Sequence, residues 1–149
     1  MVSGNETSDV VGPVLQALAI LGFYVVKSKK DGYQAAAVAM RQSNWSGVVW
    51  RQNTGRAMLT GRGGEERPVA FGIPGQSDIA GIMRGGRTLA IECKKPGGKV
   101  SPDQAAYLEI VRTLGGVGLL SHGAEDILAR KEILCGDCNP AKRPRRGGS

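Results

Sequence analysis

Three observations predict an α/β fold, a mixed central sheet flanked by helices in a single domain. Apolar runs at 77–83 and 88–94 flank Gly85-Gly86, the signature of a β-hairpin. A helix signal follows at Ser101-Pro102-Asp103, with Ser101 as N-cap and Pro102 at the first helical position. Val14, Leu15, Leu18 and Leu21 recur at helical spacing and supply another helix near the N-terminus. The predicted order is α, insert, β, β, β, α, β, α.

The elements follow in chain order. Residues 10–21 read as the first helix, with Asp9 as N-cap and Gly22 as stop. Pro13 is tolerable only near a first turn, so it argues for a start near Asp9, or for a kink. The insert 23–46 offers a strand at 23–26, a turn signal at Asp31-Gly32 and an alanine-rich run at 34–42. That run reads as a short helix, with a hairpin across Asp31-Gly32 as the alternative. Residues 48–51 form a short strand. The next twenty residues carry Gly55, Gly61, Gly63 and Gly64 with Arg56, Arg62 and Arg67, which reads either as a flexible basic loop whose backbone could approach phosphates or as a disordered glycine-rich connection. After the hairpin, the helix from Ser101 has Ala105, Leu108, Val111 and the stem of Arg112 as its core face and stops at Gly115-Gly116. A strand at 117–120 and a helix at 124–133 complete a domain of 1–134. The tail 135–149 carries Lys142, Arg143, Arg145 and Arg146 among Pro and Gly, has nothing to bury, and reads as disordered.

The 149 residues suit one domain with a modest core. Twenty Lys and Arg against 13 Asp and Glu leave a net charge of +7, which favours a polyanionic partner, a phosphate backbone above all. No apolar run is long enough to cross a bilayer, and residues 1–6 lack the basic start of a signal peptide. Cys93, Cys135 and Cys138 are odd in number and irregularly spaced, so no disulfide framework is implied. A reducing, intracellular and cytoplasmic setting is the expectation.

The chemistry concentrates on Asp78, Glu92 and Lys94. Alternate side chains on a strand share a face, so Glu92 and Lys94 point one way and Cys93 the other. If the hairpin closes through three residues, Arg84-Gly85-Gly86, Asp78 lies directly opposite Glu92, with Cβ atoms about 4.5–5.5 Å apart. A two-residue turn shifts that register by one, and the sequence leaves the choice open. Opposed carboxylates with the Cys93 carbonyl offer three oxygens to Mg²⁺, which prefers oxygen ligands and retains waters. Such a cation stabilises charge on a phosphorane and acidifies a bound water, and Lys94 beside it could orient or deprotonate that water. The bland reading is a solvated strand face, with Asp78 capping a turn. Against it, these charges interrupt apolar strands, where an unpaired charge facing the core side is costly.

Pro74-Gly75-Gln76-Ser77-Asp78-Ile79, Ala90-Ile91-Glu92-Cys93-Lys94 and Ser101-Pro102-Asp103-Gln104, in this order and spacing, resemble the VRR-NUC family, a branch of the PD-(D/E)xK nuclease superfamily. Trp50-Arg51-Gln52-Asn53-Thr54-Gly55 resembles the segment that precedes the family's G-x-x-D strand. The similarity runs over 48–133. It implies a restriction-endonuclease-like fold and an Mg²⁺- or Mn²⁺-dependent DNA endonuclease. Asp78, Glu92 and Lys94 match the catalytic positions, and Gln104 matches a glutamine that could contact the nucleophilic water or a phosphate. The family also carries an acid on its first helix, for which Glu6 is the candidate. Stand-alone members resemble Holliday-junction resolvases in size and often act as homodimers on branched DNA, where a dimer would place two sites on two strands.

Arg51, Gln52, Asn53, Arg56, Arg62, Lys95 and Lys99 are candidate DNA contacts. Cys135 and Cys138 have zinc-knuckle spacing but need further ligands, which a dimer could supply. His122 reads as a strand-end residue rather than a base. Trp45 and Trp50 could stack on bases, though a core or interface role is the plainer reading. Two other functions remain open: a non-catalytic nucleic-acid-binding module, and a repair or restriction-type nuclease acting on duplex ends or flaps.

Overall fold

The computed structural model describes residues 8–27, 32–52, 55–71 and 73–135. Glu6, Asn53, Cys138 and the basic tail lie outside them, as does Asp31 of the turn signal. Helix α1 (Ser8–Ile20) leads into β1 (Phe23–Val26), α2 (Tyr33–Gln42) and β2 (Gly47–Arg51). A separate ribbon of β3 (Gly55–Thr60) and β4 (Glu66–Phe71) precedes the hairpin of β5 (Ile79–Met83) and β6 (Thr88–Cys93). Helix α3 (Pro102–Thr113), β7 (Val117–Ser121) and the short α4 (Ala124–Leu128) and α5 (Lys131–Cys135) follow.

The main sheet has the order β1-β2-β5-β6-β7. β1 runs parallel to β2 and β7 parallel to β6, while β5 is antiparallel to both its neighbours. This is a mixed five-stranded sheet flanked by helices, in the α/β class and consistent with a restriction-endonuclease-like fold. The insert does not stand apart, because its strand β1 extends the sheet.

The two faces are covered unequally. On one, Val10, Val11, Val14, Ala17 and Leu18 of α1 meet Val49, Ile79, Leu89, Ile91, Cys93 and Val117, with Ile127 and Leu134 closing the core. Each fully buried Leu, Ile or Val contributes about 1.5–3 kcal/mol relative to exposure, so this face carries most of the stability. On the other, α3 lays Leu108, Val111 and Tyr107 over Ala90. Tyr33 of α2 meets Trp50 edge to face, with ring centroids 5.4 Å apart, over the far side of the same face. Between α2 and α3 the middle strand is bare: Ile82 of β5 is 55% exposed.

Several sequence expectations need correction. Asp9 is not an N-cap but lies inside α1, in its first turn, where its charge suits the positive end of the helix dipole. Pro13 is accommodated within α1 rather than at its start. The glycine-rich loop is a β-ribbon in regular antiparallel register from Gly55↔Phe71 to Thr60↔Glu66. Ala105 is exposed, and Tyr107 takes its place beside Leu108 and Val111. The last helix is broken at Ala129-Arg130, where the Arg130 amide turns back to the Ile127 carbonyl.

Candidate functional site

The hairpin closes through Arg84-Gly85-Gly86: the Met83 amide donates to the Arg87 carbonyl and the Gly86 amide to the Met83 carbonyl. Gly85 and Gly86 both have positive φ, 88° and 80°, which suits glycine at this turn. The register then pairs Ile79 with Ile91 and Ala80 with Ala90. Continued by one residue, it sets Asp78 opposite Glu92. On the other side β2 pairs Arg51 with Ile79, and the Gln52 amide donates to the Asp78 carbonyl at 2.8 Å. Gln52, Asp78 and Glu92 therefore form one row across three strands and share a face, since directly opposed residues point the same way.

That face is the one α3 covers, and the start of α3 closes the site. Ser101 caps the helix, its hydroxyl accepting from the Gln104 amide at 3.2 Å, while Gln104 Oε1 accepts the Ser101 amide at 2.9 Å. This capping box fixes which way the Gln104 amide group faces. Its Nε2 donates to Glu92 Oε1 at 2.6 Å. Gln104 thus clamps the carboxylate itself, where the resemblance implied contact with water or phosphate. The loop before Asp78 is seated on the same helix end: Gly75 has φ 95°, and a Cβ there would meet the Asp103 backbone at 2.7 Å.

Glu92 is 2% exposed. Its Oε1 also faces Lys94 Nζ at 3.5 Å. Its Oε2, in contrast, is shut off from solvent and has no hydrogen-bond partner among the described residues. The Asp78 and Glu92 carboxyls lie within hydrogen-bonding reach of each other, a contact that needs a proton between them, since two ionised carboxyls offer each other no hydrogen. Burial first, and the Asp78 charge next, push the Glu92 carboxyl up to about 7, and Lys94 offsets them only in part. Asp78 is held by the Cys93 amide, which donates to its Oδ2 at 2.8 Å. This is a carboxylate pair arranged to share a proton or a cation.

Cys93 points to the opposite face and is 1% exposed, so burial pushes its thiol up and the side chain belongs to the core. Its backbone alone serves the site, the amide through Asp78 and the carbonyl as a candidate cation ligand. Lys94 is half-buried beside Glu92, whereas Lys95, Lys99, Arg51 and Arg62 are exposed. Arg51 sits at the end of β2, Lys95 and Lys99 follow β6, and Arg62 lies at the turn of the ribbon. Lys95 lies 3.9 Å from Asp9. Arg56 falls in β3.

His122 sits at the strand end where the sequence reading put it. His122 Nδ1 lies 3.0 Å from the Lys94 carbonyl and 3.2 Å from that of Lys95, and its own amide donates to Asp126 Oδ2 at 2.7 Å. It ties the segment after β6 to the end of β7, a strand-end role with a bearing on Lys94. Gln52 was expected as a DNA contact, but its Oε1 is buried and unpartnered among the described residues. The hairpin register was the available signal for Gln52, but only once β2 was known to lie beside β5. Trp45 packs edge to face on Tyr24 at 5.3 Å and donates from Nε1 to the Ala39 carbonyl, a structural role. The Cys135 thiol donates to the Leu21 carbonyl at 3.2 Å.

Among the described residues no group of three or more His, Cys, Asp and Glu side chains is placed to hold a metal ion together. A cation between Asp78 and Glu92 would have two carboxylates and would draw its other oxygens from backbone, amide or water. Such a set suits Mg²⁺ or Mn²⁺. The buried, unpartnered Glu92 Oε2 supports that fit. No helix among the described residues is long and apolar enough to cross a membrane. Comparison with protein families, with curated proteins and with solved structures finds no match.

Proposed function

We propose that the chain is an Mg²⁺- or Mn²⁺-dependent DNA endonuclease. The observation that carries this reading is the pairing of the Asp78 and Glu92 carboxyls, with a buried Glu92 Oε2 that has no hydrogen-bond partner among the described residues. Asp78, Glu92 and the Cys93 carbonyl would hold the cation. When bound, it would stabilise the phosphorane charge and lower the pKa of a bound water.

The rest is done by the chain itself. Gln104 and the Cys93 amide fix one oxygen of each acid, so both present their remaining oxygens without rearrangement. Such preorganisation is where much of an enzyme's electrostatic stabilisation arises. Lys94, on the same strand face as Glu92, is placed to orient a water or to neutralise charge on the phosphate. The bare face of β5 between α2 and α3 gives a phosphodiester room to approach, and the net charge of +7 favours its arrival. Within this reading the substrate is branched DNA, such as a Holliday junction, and the active form a homodimer.

The test is incubation of supercoiled plasmid and four-way junctions with Mg²⁺, Mn²⁺ or EDTA. Nicking that requires the cation is the expected result. Tight binding with no cation-dependent cleavage on either substrate would defeat the reading in favour of a non-catalytic binding module. A panel of linear duplex, flap and junction substrates separates a resolvase from a nuclease of duplex ends.

A further inference from the structure

Among the described residues two buried side-chain oxygens lack a hydrogen-bond partner, Glu92 Oε2 and Gln52 Oε1, and both stand in the row that crosses β2, β5 and β6. Leaving such an acceptor unmade costs about 1–3 kcal/mol, so a matching pair in one row asks for a common cause. Asp78 lies between them, but a carboxylate has no hydrogen to give to Gln52. A phosphodiester has none either. Lys94 Nζ, the nearby cation, is directed at Glu92 Oε1. What remains is water, and beside two carboxylates the water best suited to donate is one polarised by a cation.

We propose that Gln52 is a positioning residue, whose Oε1 accepts a hydrogen bond from a water of the hydrated cation held by Asp78 and Glu92. The inference rests on the cation site proposed above and adds to it. The backbone fixes Gln52 whatever its side chain, through the amide bond to the Asp78 carbonyl at 2.8 Å. The side chain is therefore free to be dedicated to the site. Among the described residues Asp78 and Glu92 are the carboxylates of this row, and an amide oxygen that holds a water in register adds to the donor set without adding a negative charge. Partners of this kind, one step out from the metal, typically change cation affinity by about 10–100-fold when removed.

The full chain is titrated with Mn²⁺ and with Mg²⁺ by calorimetry, and its melting temperature is followed with and without each ion. Gln52→Met keeps the length and removes the unpartnered oxygen. It should melt at or above the unmodified chain without cation, bind Mn²⁺ roughly tenfold more weakly, and gain less from the ion on heating. Gln52→Glu keeps an acceptor at the same place and should bind the ion at least as tightly as the unmodified chain. If Gln52 instead donated its amide to the carboxylates, Gln52→Glu would bind the ion more weakly, and the inference would fall. Equal Mn²⁺ affinity in Gln52→Met and the unmodified chain overturns it while leaving the cation site standing. A Gln52→Met chain that melts lower without the ion, or does not fold, gives the residue a structural role and overturns it too. An unmodified chain that binds neither ion removes the cation reading together with this one.

Discussion

Gln104 Nε2 reaches Glu92 Oε1 at 2.6 Å because Gln104 Oε1 is already committed to the Ser101 amide at 2.9 Å. A helix cap and an acidic site are therefore one hydrogen-bonded chain. Ser101→Ala should lower stability by about 1 kcal/mol, the ordinary cost of an N-cap. Gln104→Ala should in addition raise the Glu92 pKa, since it removes a hydrogen bond to the charged form. NMR titration of the Glu92 carboxyl reads this directly. An unmoved titration in Gln104→Ala would show that the 2.6 Å contact does not support the charged form.

The Glu92 carboxyl, raised by burial and by Asp78 to about 7, makes stability depend on pH in a stated direction. Between its unfolded value and about 7 the folded chain holds the extra proton. Stability in the absence of a cation should then fall as pH rises through that window and level off above it. At about 1.4 kcal/mol per pKa unit, the loss is on the order of a few kcal/mol. Glu92→Gln should flatten the dependence and stabilise the chain at pH 8. Denaturant melts at pH 5 and pH 8, with EDTA present, decide the sign. Adding Mg²⁺ should oppose the loss, because the ion competes with the proton for the same oxygens.

Lys94→Ala should reduce cleavage at least about 100-fold, the usual scale for a residue that handles a proton or a developing charge. Its affinity for duplex DNA should change less than about tenfold, the effect of one phosphate contact. Single-turnover cleavage beside a binding titration separates the two. Full activity in the variant would take Lys94 out of the mechanism.

Gly75 and Gly85 share a positive φ, 95° and 88°, but differ in surroundings. A Cβ at Gly75 would meet Asp103 backbone at 2.7 Å, whereas one at Gly85 meets nothing within 4 Å. Gly85→Ala should cost about 1–2 kcal/mol for its left-handed conformation alone. Gly75→Ala should cost more and also weaken cation binding, because the loop that carries Asp78 would lift from α3. Chemical denaturation of the pair, with an Mn²⁺ titration, provides the comparison. Equal costs would mean that the loop does not depend on its seat against α3.

The residues at the centre of the site were legible because their signals are local, but their register was not: Gly85-Gly86 allows a two- or a three-residue turn, and only the closure through Arg84-Gly85-Gly86 sets Asp78 against Glu92. Ser101 and Pro102 announce the helix that brings Gln104. The ribbon β3–β4 was not legible, since Met58 and Leu59 are 57% and 43% exposed and no buried face imposes alternation on it. The break between α4 and α5 carries neither Gly nor Pro, and only the packing of Ile127 and Leu134 into one core explains it. Gln52 was read as a surface contact because its place in the row depends on β2 pairing with β5, a contact between distant segments.

That pairing has a consequence for the ribbon. Gln52 and Asp78 are neighbours across two strands, yet β3 and β4 lie between them in the chain. The ribbon is thus a detour whose two ends the sheet already holds side by side. Its length and sequence can change without altering the core, as long as those ends stay pinned. A shorter, longer or foreign ribbon could be spliced in as an interchangeable arm without moving the strand ends from which Gln52 and Asp78 project.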